Sequence, residues 1–235
     1  MRPFIRIRDL HKSFTLHCYG EYQLPVLSGL SLDVGSGECV LLDGPSGSGK
    51  STLLRAVHGQ CPPQSGSILV DAPGLGEAVE ITEAPPSRLH DLHRDVIGMV
   101  SPVLPPTTAI CSLNIVCEAL PDANVATCRD LAATMLERLN LPEAMWNVPA
   151  VSLPPCERQK VAIARCFVRD YPILLLDEPE TATDEETRDI LGDMIEEAKA
   201  RGAAILASLR DPFLRRSTAT RHQHLEDQSL AWAAQ

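Results

Sequence analysis

The sequence has no run approaching the roughly 18 uncharged apolar residues that a membrane-spanning helix needs, so any service to a membrane process would be given from outside the bilayer. It also lacks an excess of positive charge. With 21 Lys and Arg against 31 Asp and Glu, the formal net charge is -10. A surface of that sign repels polyanions, which excludes a general nucleic-acid binder and leaves room only for a local anion pocket. The eight cysteines, Cys18, Cys39, Cys61, Cys111, Cys117, Cys128, Cys156 and Cys166, include no C-x-x-C pair and no Cys/His spacing suited to zinc. They are expected to be reduced, mostly buried small apolar groups in a reducing compartment. There is no tandem repeat and no low-complexity tract. The N-terminal MRPFIRIRDLHKSF alternates apolar and polar residues as a strand does and has no leader-like apolar run. The expectation is a cytoplasmic protein whose mature form is the whole chain.

What is present suffices for a proper core: 235 residues, 44% hydrophobic and 22% charged. Short β-rich segments come first, over Phe4 to Arg8, Leu27 to Val34 and Glu38 to Leu42, the last running into a Gly-rich turn and a helix from about Lys50. A further strand is predicted over Gly66 to Asp71, and another over Val96 to Val100. Between about Pro85 and Pro155 the pattern is mainly of amphipathic helices, such as Leu131 to Leu139, broken by several prolines. Helix Glu157 to Arg169, strand Ile173 to Leu176, helix Glu185 to Ala200 and strand Ala203 to Ala207 follow. Apolar strands without alternation, set between helices, call for a parallel sheet covered on both faces. The fold class expected is α/β. Residues 1–84 and 156–235 form the core, 85–155 an inserted helical subdomain, and the tail after Leu214 is either a short strand or frayed chain.

Two motifs carry chemistry. Gly44-Pro45-Ser46-Gly47-Ser48-Gly49-Lys50-Ser51-Thr52 satisfies the G-x-x-x-x-G-K-[ST] phosphate-loop pattern. Its glycines let successive main-chain N–H groups face a β-phosphate, and the helix starting at Lys50 adds its positive dipole end. Lys50 is expected to bridge β- and γ-phosphates and Ser51 to reach Mg²⁺, with ATP as the ligand. The second motif is Leu174-Leu175-Leu176-Asp177-Glu178-Pro179. A buried strand ending in two carboxylates needs a cation or a polar cleft. Asp177 is expected to hold Mg²⁺ and Glu178 to act as general base on an attacking water. The alternative is that both acids merely cap a following helix.

With Val26-Leu27-Ser28-Gly29-Leu30-Ser31-Leu32 before the first motif and Asp184 after the second, the chain resembles the ABC ATPase family over essentially its whole length. The resemblance implies a P-loop NTPase with a mainly parallel core sheet, an antiparallel N-terminal β portion and the helical insertion. It implies an ATP-dependent homodimer, or a heterodimer with another such ATPase, in which Asp184 bridges subunits. It also implies a permease contact where an exporter of the lipoprotein-release or macrolide-export kind is involved. Phe14 falls where that family stacks an aromatic residue on adenine, and could equally be core. Segments Leu24 to Leu27, Arg138 to Trp146, Asp170 to Asp177 and Arg201 to Ile205 resemble more narrowly the ATP-binding subunit of the bacterial phosphonate carbon-phosphorus lyase system. That implies partner subunits of a phosphonate-degrading assembly.

Three family positions depart from the pattern. Pro154-Pro155-Cys156 replaces Ser-Gly-Gly before Glu157, removing up to two N–H donors from a γ-phosphate clasp while remaining compatible with a helix start. Ser101-Pro102 stands where a glutamine reaches the metal. Arg210 stands for a histidine, so it offers charge without an acceptor, either as a cationic clamp or as a surface Arg paired with Asp211 or Glu. Binding of Mg-ATP is thus expected, with an ATPase subunit that hydrolyses ATP to ADP and phosphate, slowed by these losses, as the first reading and a nucleotide-dependent scaffold with little or no hydrolysis as the alternative.

Overall fold

The computed structural model describes residues 3–16, 22–101, 110–121 and 123–226. Pro102 and Cys18 lie outside them. Strands β1 (Ile5–Leu16), β2 (Tyr22–Val34), β4 (Ser65–Val70) and β5 (Val79–Glu80) form an antiparallel sheet in the order β2-β1-β4-β5. β1 and β2 run well beyond the spans predicted for them. Register shifts between Ile7 and Ser13, with Asp9 at φ 46, break the alternation that marks a strand in sequence.

The second sheet is wholly parallel, in the order β6-β7-β8-β3-β9. It is built from β6 (Ile97–Val100), β7 (Ile173–Asp177), β8 (Ala204–Ser208), β3 (Cys39–Asp43) and β9 (Arg221–His224). Its central strands bury both faces. On one face Cys39, Leu41, Leu174, Leu176, Ile205 and Ala207 pack with α5 (Pro155–Phe167), α6 (Glu185–Ala200) and the helical subdomain. On the other, Val40, Leu42, Ile173, Leu175, Ala204 and Leu206 pack with α1 (Lys50–Val57) and the antiparallel sheet. In the described part of the tail after Leu214 the short strand alternative holds. α7 (Pro212–Thr218) leads into β9, which pairs with β3.

The stretch 85–155 is not helical throughout. α2 (Pro86–Asp95) leads into β6, which pairs with β7 inside the parallel sheet. The helices that pack together begin at α3 (Ser112–Cys117) and α4 (Val125–Arg138) and lie against α5. The cysteines also depart from expectation. Among the described residues all seven are free, but only Cys39, Cys128 and Cys166 are fully buried. Burial pushes the Cys39 and Cys166 thiols up to about 12.

α6 has an explicit start signal. The Asp184 carboxylate accepts from the Thr187 main-chain N–H at 2.8 Å, and these bonds to Thr187, then that from Lys160, pull its pKa down to about 2. A carboxyl depressed on folding stabilises the native state above its ordinary pKa, near 4, and that contribution is lost as pH falls towards 2. Asp184→Ala is therefore expected to cost about 1 kcal/mol at pH 7. Urea melts should show the difference from wild type shrinking between pH 4 and pH 2.

Candidate functional site

The Gly-rich turn leaves β3 and enters α1. Pro45, Ser46 and Gly47 form its exposed crest, Ser48 and Gly49 are buried, and Lys50, Ser51 and Thr52 occupy the first turn of the helix. Gly49 sits at φ 94, and a Cβ there would meet Val26 Cγ1 at 2.9 Å and Leu27 Cδ2 at 3.0 Å. The turn can close against β2 only without a side chain. Gly47, at φ 90, has nothing within 4 Å of a Cβ position, so its requirement is conformational and the crest stays open in front.

Lys50 reaches back across the loop, donating to the carbonyls of Gly44 at 2.8 Å and Pro45 at 2.7 Å. Burial lowers its pKa, against the pull of Glu178 and Asp177. The strand end comes to the same place. Asp177, 1% exposed, accepts from the Ser51 hydroxyl at 2.8 Å through Oδ1, while its buried Oδ2 has no hydrogen-bond partner. Burial raises the Asp177 pKa despite the Ser51 bond.

An orphaned carboxylate oxygen beside a hydroxyl is a hard-oxygen donor set that suits a small divalent cation. Among the described residues no group of three or more His, Cys, Asp or Glu gathers as a metal cage. The site therefore fits an ion that takes few protein ligands and completes its shell from substrate oxygens and water, as Mg²⁺ does.

Glu178 is half-buried at φ 48, outside the usual range for a non-glycine residue, and its main-chain N–H is tied to Ser208 O at 2.8 Å. Its carboxylate meets Arg210, with Nε 2.8 Å from Oε2. Asp211 is instead engaged by Arg188 at 3.2 Å. Sequence reasoning left Arg210 open between a phosphate clamp and a surface ion pair; the pair forms, and with Glu178 itself. Gly44, Ser46, Lys50, Glu178, Arg210 and Arg215 line one cleft of about 440 Å³.

Three contributors escaped the sequence. Arg215 on α7 reaches Asp43 at 2.5 Å and the Leu209 carbonyl at 3.0 Å, bringing a third cation to the cleft wall. Glu180, 7% exposed, accepts from the main-chain N–H groups of Arg210 and Asp211 and so fixes the turn carrying Arg210. Gln159 on α5 donates to the Pro179 carbonyl at 2.9 Å. Only the acid in Glu178-Pro179-Glu180 could have drawn attention beforehand, since the other contacts join distant segments.

Phe14 is not core. It is 41% exposed, with Lys12 Nζ 5.3 Å from its ring centroid. α5 begins at Pro155 with Pro154 before it and no side-chain cap, so the double proline is housed as a helix start. The Asp184 side chain is half-exposed, with Lys160 Nζ 3.3 Å from its carboxylate.

The family model described as ABC transporter matches residues 27–181. The chain is 33% identical over 216 residues to the macrolide export ATP-binding/permease protein MacB 1/2 of Paracoccus denitrificans (strain Pd 1222), covering 89% of this chain and 30% of that protein. It is 36% identical over 203 residues to the phosphonates import ATP-binding protein PhnC of Hyphomonas neptunium (strain ATCC 15444), covering 83% and 75%. The chain thus spans less than a third of the first relative's length and three quarters of the second's. The ATP-binding cassette MJ0796, solved as a dimer bound to ADP and Pi, superposes with a TM-score of 0.83 at 25% identity over 95% of both chains. On these matches, with the phosphate loop and the acidic strand end in one cleft, the chain belongs to the ABC transporter family of ATP-binding cassettes.

Proposed function

We propose that this chain binds Mg-ATP and hydrolyses it to ADP and phosphate as the nucleotide-binding subunit of a larger assembly. The observation that carries the reading is the meeting of Ser51, Lys50 and the partly orphaned Asp177 carboxylate at one end of the parallel sheet. Loop amides and the start of α1 cradle the β-phosphate, and Lys50 exchanges the Gly44 and Pro45 carbonyls for phosphate oxygens. Ser51 and Asp177 hold Mg²⁺, which when bound neutralises phosphate charge. Phe14, exposed on β1, offers its ring to adenine. Glu178 orients a water for in-line attack on the γ-phosphorus and receives its proton while the bond to the bridging oxygen breaks.

Two copies, or this chain and a second cassette, close over the nucleotide; the dimeric relative supports that arrangement. For the wider assembly, the four segments similar to the carbon-phosphorus lyase ATP-binding subunit, together with a relative named for phosphonates import, favour phosphonate processing. The relative named for macrolide export supports an exporter. Co-purification from native cells with soluble lyase subunits, as against a membrane permease, separates the two. Among the described residues no helix is long and apolar enough to cross a membrane.

A scaffold without turnover is the second reading, favoured by Pro154, Pro155 and the engagement of Glu178 by Arg210. Calorimetry should show Mg-ATP binding under either. Steady-state phosphate release distinguishes them: wild type is expected to exceed Glu178→Gln by on the order of 10²-fold. Equal rates would leave the scaffold.

A further inference from the structure

Arg210 and Glu178 are each mounted on fixed backbone. The Glu178 N–H is held by Ser208 O at the end of β8, and the Arg210 N–H is held by the buried Glu180 carboxylate. The side chains meet at 2.8 Å, and the pair faces the cleft lined by Lys50 and Ser46. The Arg210 side chain is 68% exposed against 18% for Glu178, and it makes no other ion pair or hydrogen bond among the described residues. One partner is therefore free to swing while the other is not.

From this geometry we propose that Arg210 is a latch on Glu178 that a terminal phosphate opens: the guanidinium leaves the carboxylate for the γ-phosphate, so Glu178 is released only when a triphosphate is in the cleft. The inference rests on the Mg-ATP reading above. A guanidinium binds carboxylate and phosphate through the same planar fork of donors, and a terminal phosphate carries more charge and more acceptor oxygens than a single carboxylate. The exchange is thus favourable once the phosphate arrives. A diphosphate ends one group short and leaves the pair closed. While closed, one of the two Glu178 carboxylate oxygens, Oε2, is occupied by Arg210 Nε. Arg210 accordingly touches the terminal phosphate directly, frees Glu178 by doing so, and discriminates triphosphate from diphosphate.

The test is a double-mutant cycle on binding, read by calorimetry with Mg²⁺ and the non-hydrolysable β,γ-imido analogue of ATP, with Mg-ADP as the control. Arg210→Gln is expected to weaken the triphosphate analogue about 10-fold and to change Mg-ADP less than about twofold. Glu178→Gln removes the competing carboxylate and is expected to tighten the analogue by about 10-fold, and that gain should vanish in Arg210→Gln/Glu178→Gln. If the gain from Glu178→Gln persists without Arg210, it comes from simple charge repulsion between carboxylate and phosphate, and the latch is wrong. Equal weakening of ADP and analogue by Arg210→Gln would overturn it as well. Failure of the wild-type protein to bind either nucleotide would instead bring down the Mg-ATP reading, and the latch with it. Circular dichroism on each variant establishes that the exposed substitution has left the fold intact.

Discussion

Lys50→Met is expected to weaken Mg-ATP binding by on the order of 10²-fold or more, the counterpart of the roughly 3 kcal/mol lost when one partner of a desolvated charge pair is truncated. Lys50 is half-buried, its pKa is lowered by that burial, and its ammonium bonds to two loop carbonyls. In that setting a charge is desolvated in advance, so its attraction to a phosphate oxygen is large. Methionine keeps the length and the apolar stem, so the melting temperature should shift by only a few degrees while affinity collapses. Titration calorimetry beside thermal unfolding separates the effects. An unchanged affinity would mean that the phosphate tail lies elsewhere.

Acid sensitivity should centre on His58, at the far end of α1. Its ring stacks on His93 at 3.8 Å, and its Nδ1 is buried without a partner. The His58 carbonyl accepts from His93 Nε2 at 2.6 Å, which places a proton on that nitrogen. Burial first, then the neighbouring His93 and Arg165, drives the His58 pKa down to about 3. A histidine depressed on folding stays neutral while the unfolded chain protonates near 6.5, so stability is full above that pH and falls as pH drops towards 3. The slope approaches about 1.4 kcal/mol per pH unit, or about 2 kcal/mol between pH 6.5 and 5, before most carboxylates titrate. His58→Phe keeps a flat ring against His93 and removes the titration. Urea denaturation at pH 7, 6 and 5 should give a much flatter profile for that variant. Parallel profiles would assign the acid loss to other groups.

The phosphate loop and the strand ending in Asp177 and Glu178 were legible because each is local: one is a spacing of glycines with a lysine, the other an apolar run broken by acids. α6 was legible over its full length, since Asp184 at its start and the following apolar periodicity agree. β1 and β2 were read short because bulges disrupt the alternation that defines a strand. β5 is two residues long and carries no periodicity of its own. The β6 segment was recognised as a strand, but its membership of the parallel sheet depends on pairing with β7, some seventy residues onward. The Glu178 partner was hidden for a similar reason, since β8 must lie beside β7 before Arg210 can reach across. Proline at positions 154 and 155 is compatible with a helix start, and α5 does begin at Pro155.

β3, β7 and β8 send alternate side chains into both hydrophobic cores. Neither layer can loosen while the other stays tight, because each central strand is a shared wall. The carboxylates at the tip of β7 and the loop at the tip of β3 are consequently mounted on one shared wall, so the freedom left at this end of the sheet belongs to side chains such as the exposed Arg210 guanidinium. A change that loosened either core would therefore be expected to disturb the loop at the end of β3 and the acids at the end of β7 together.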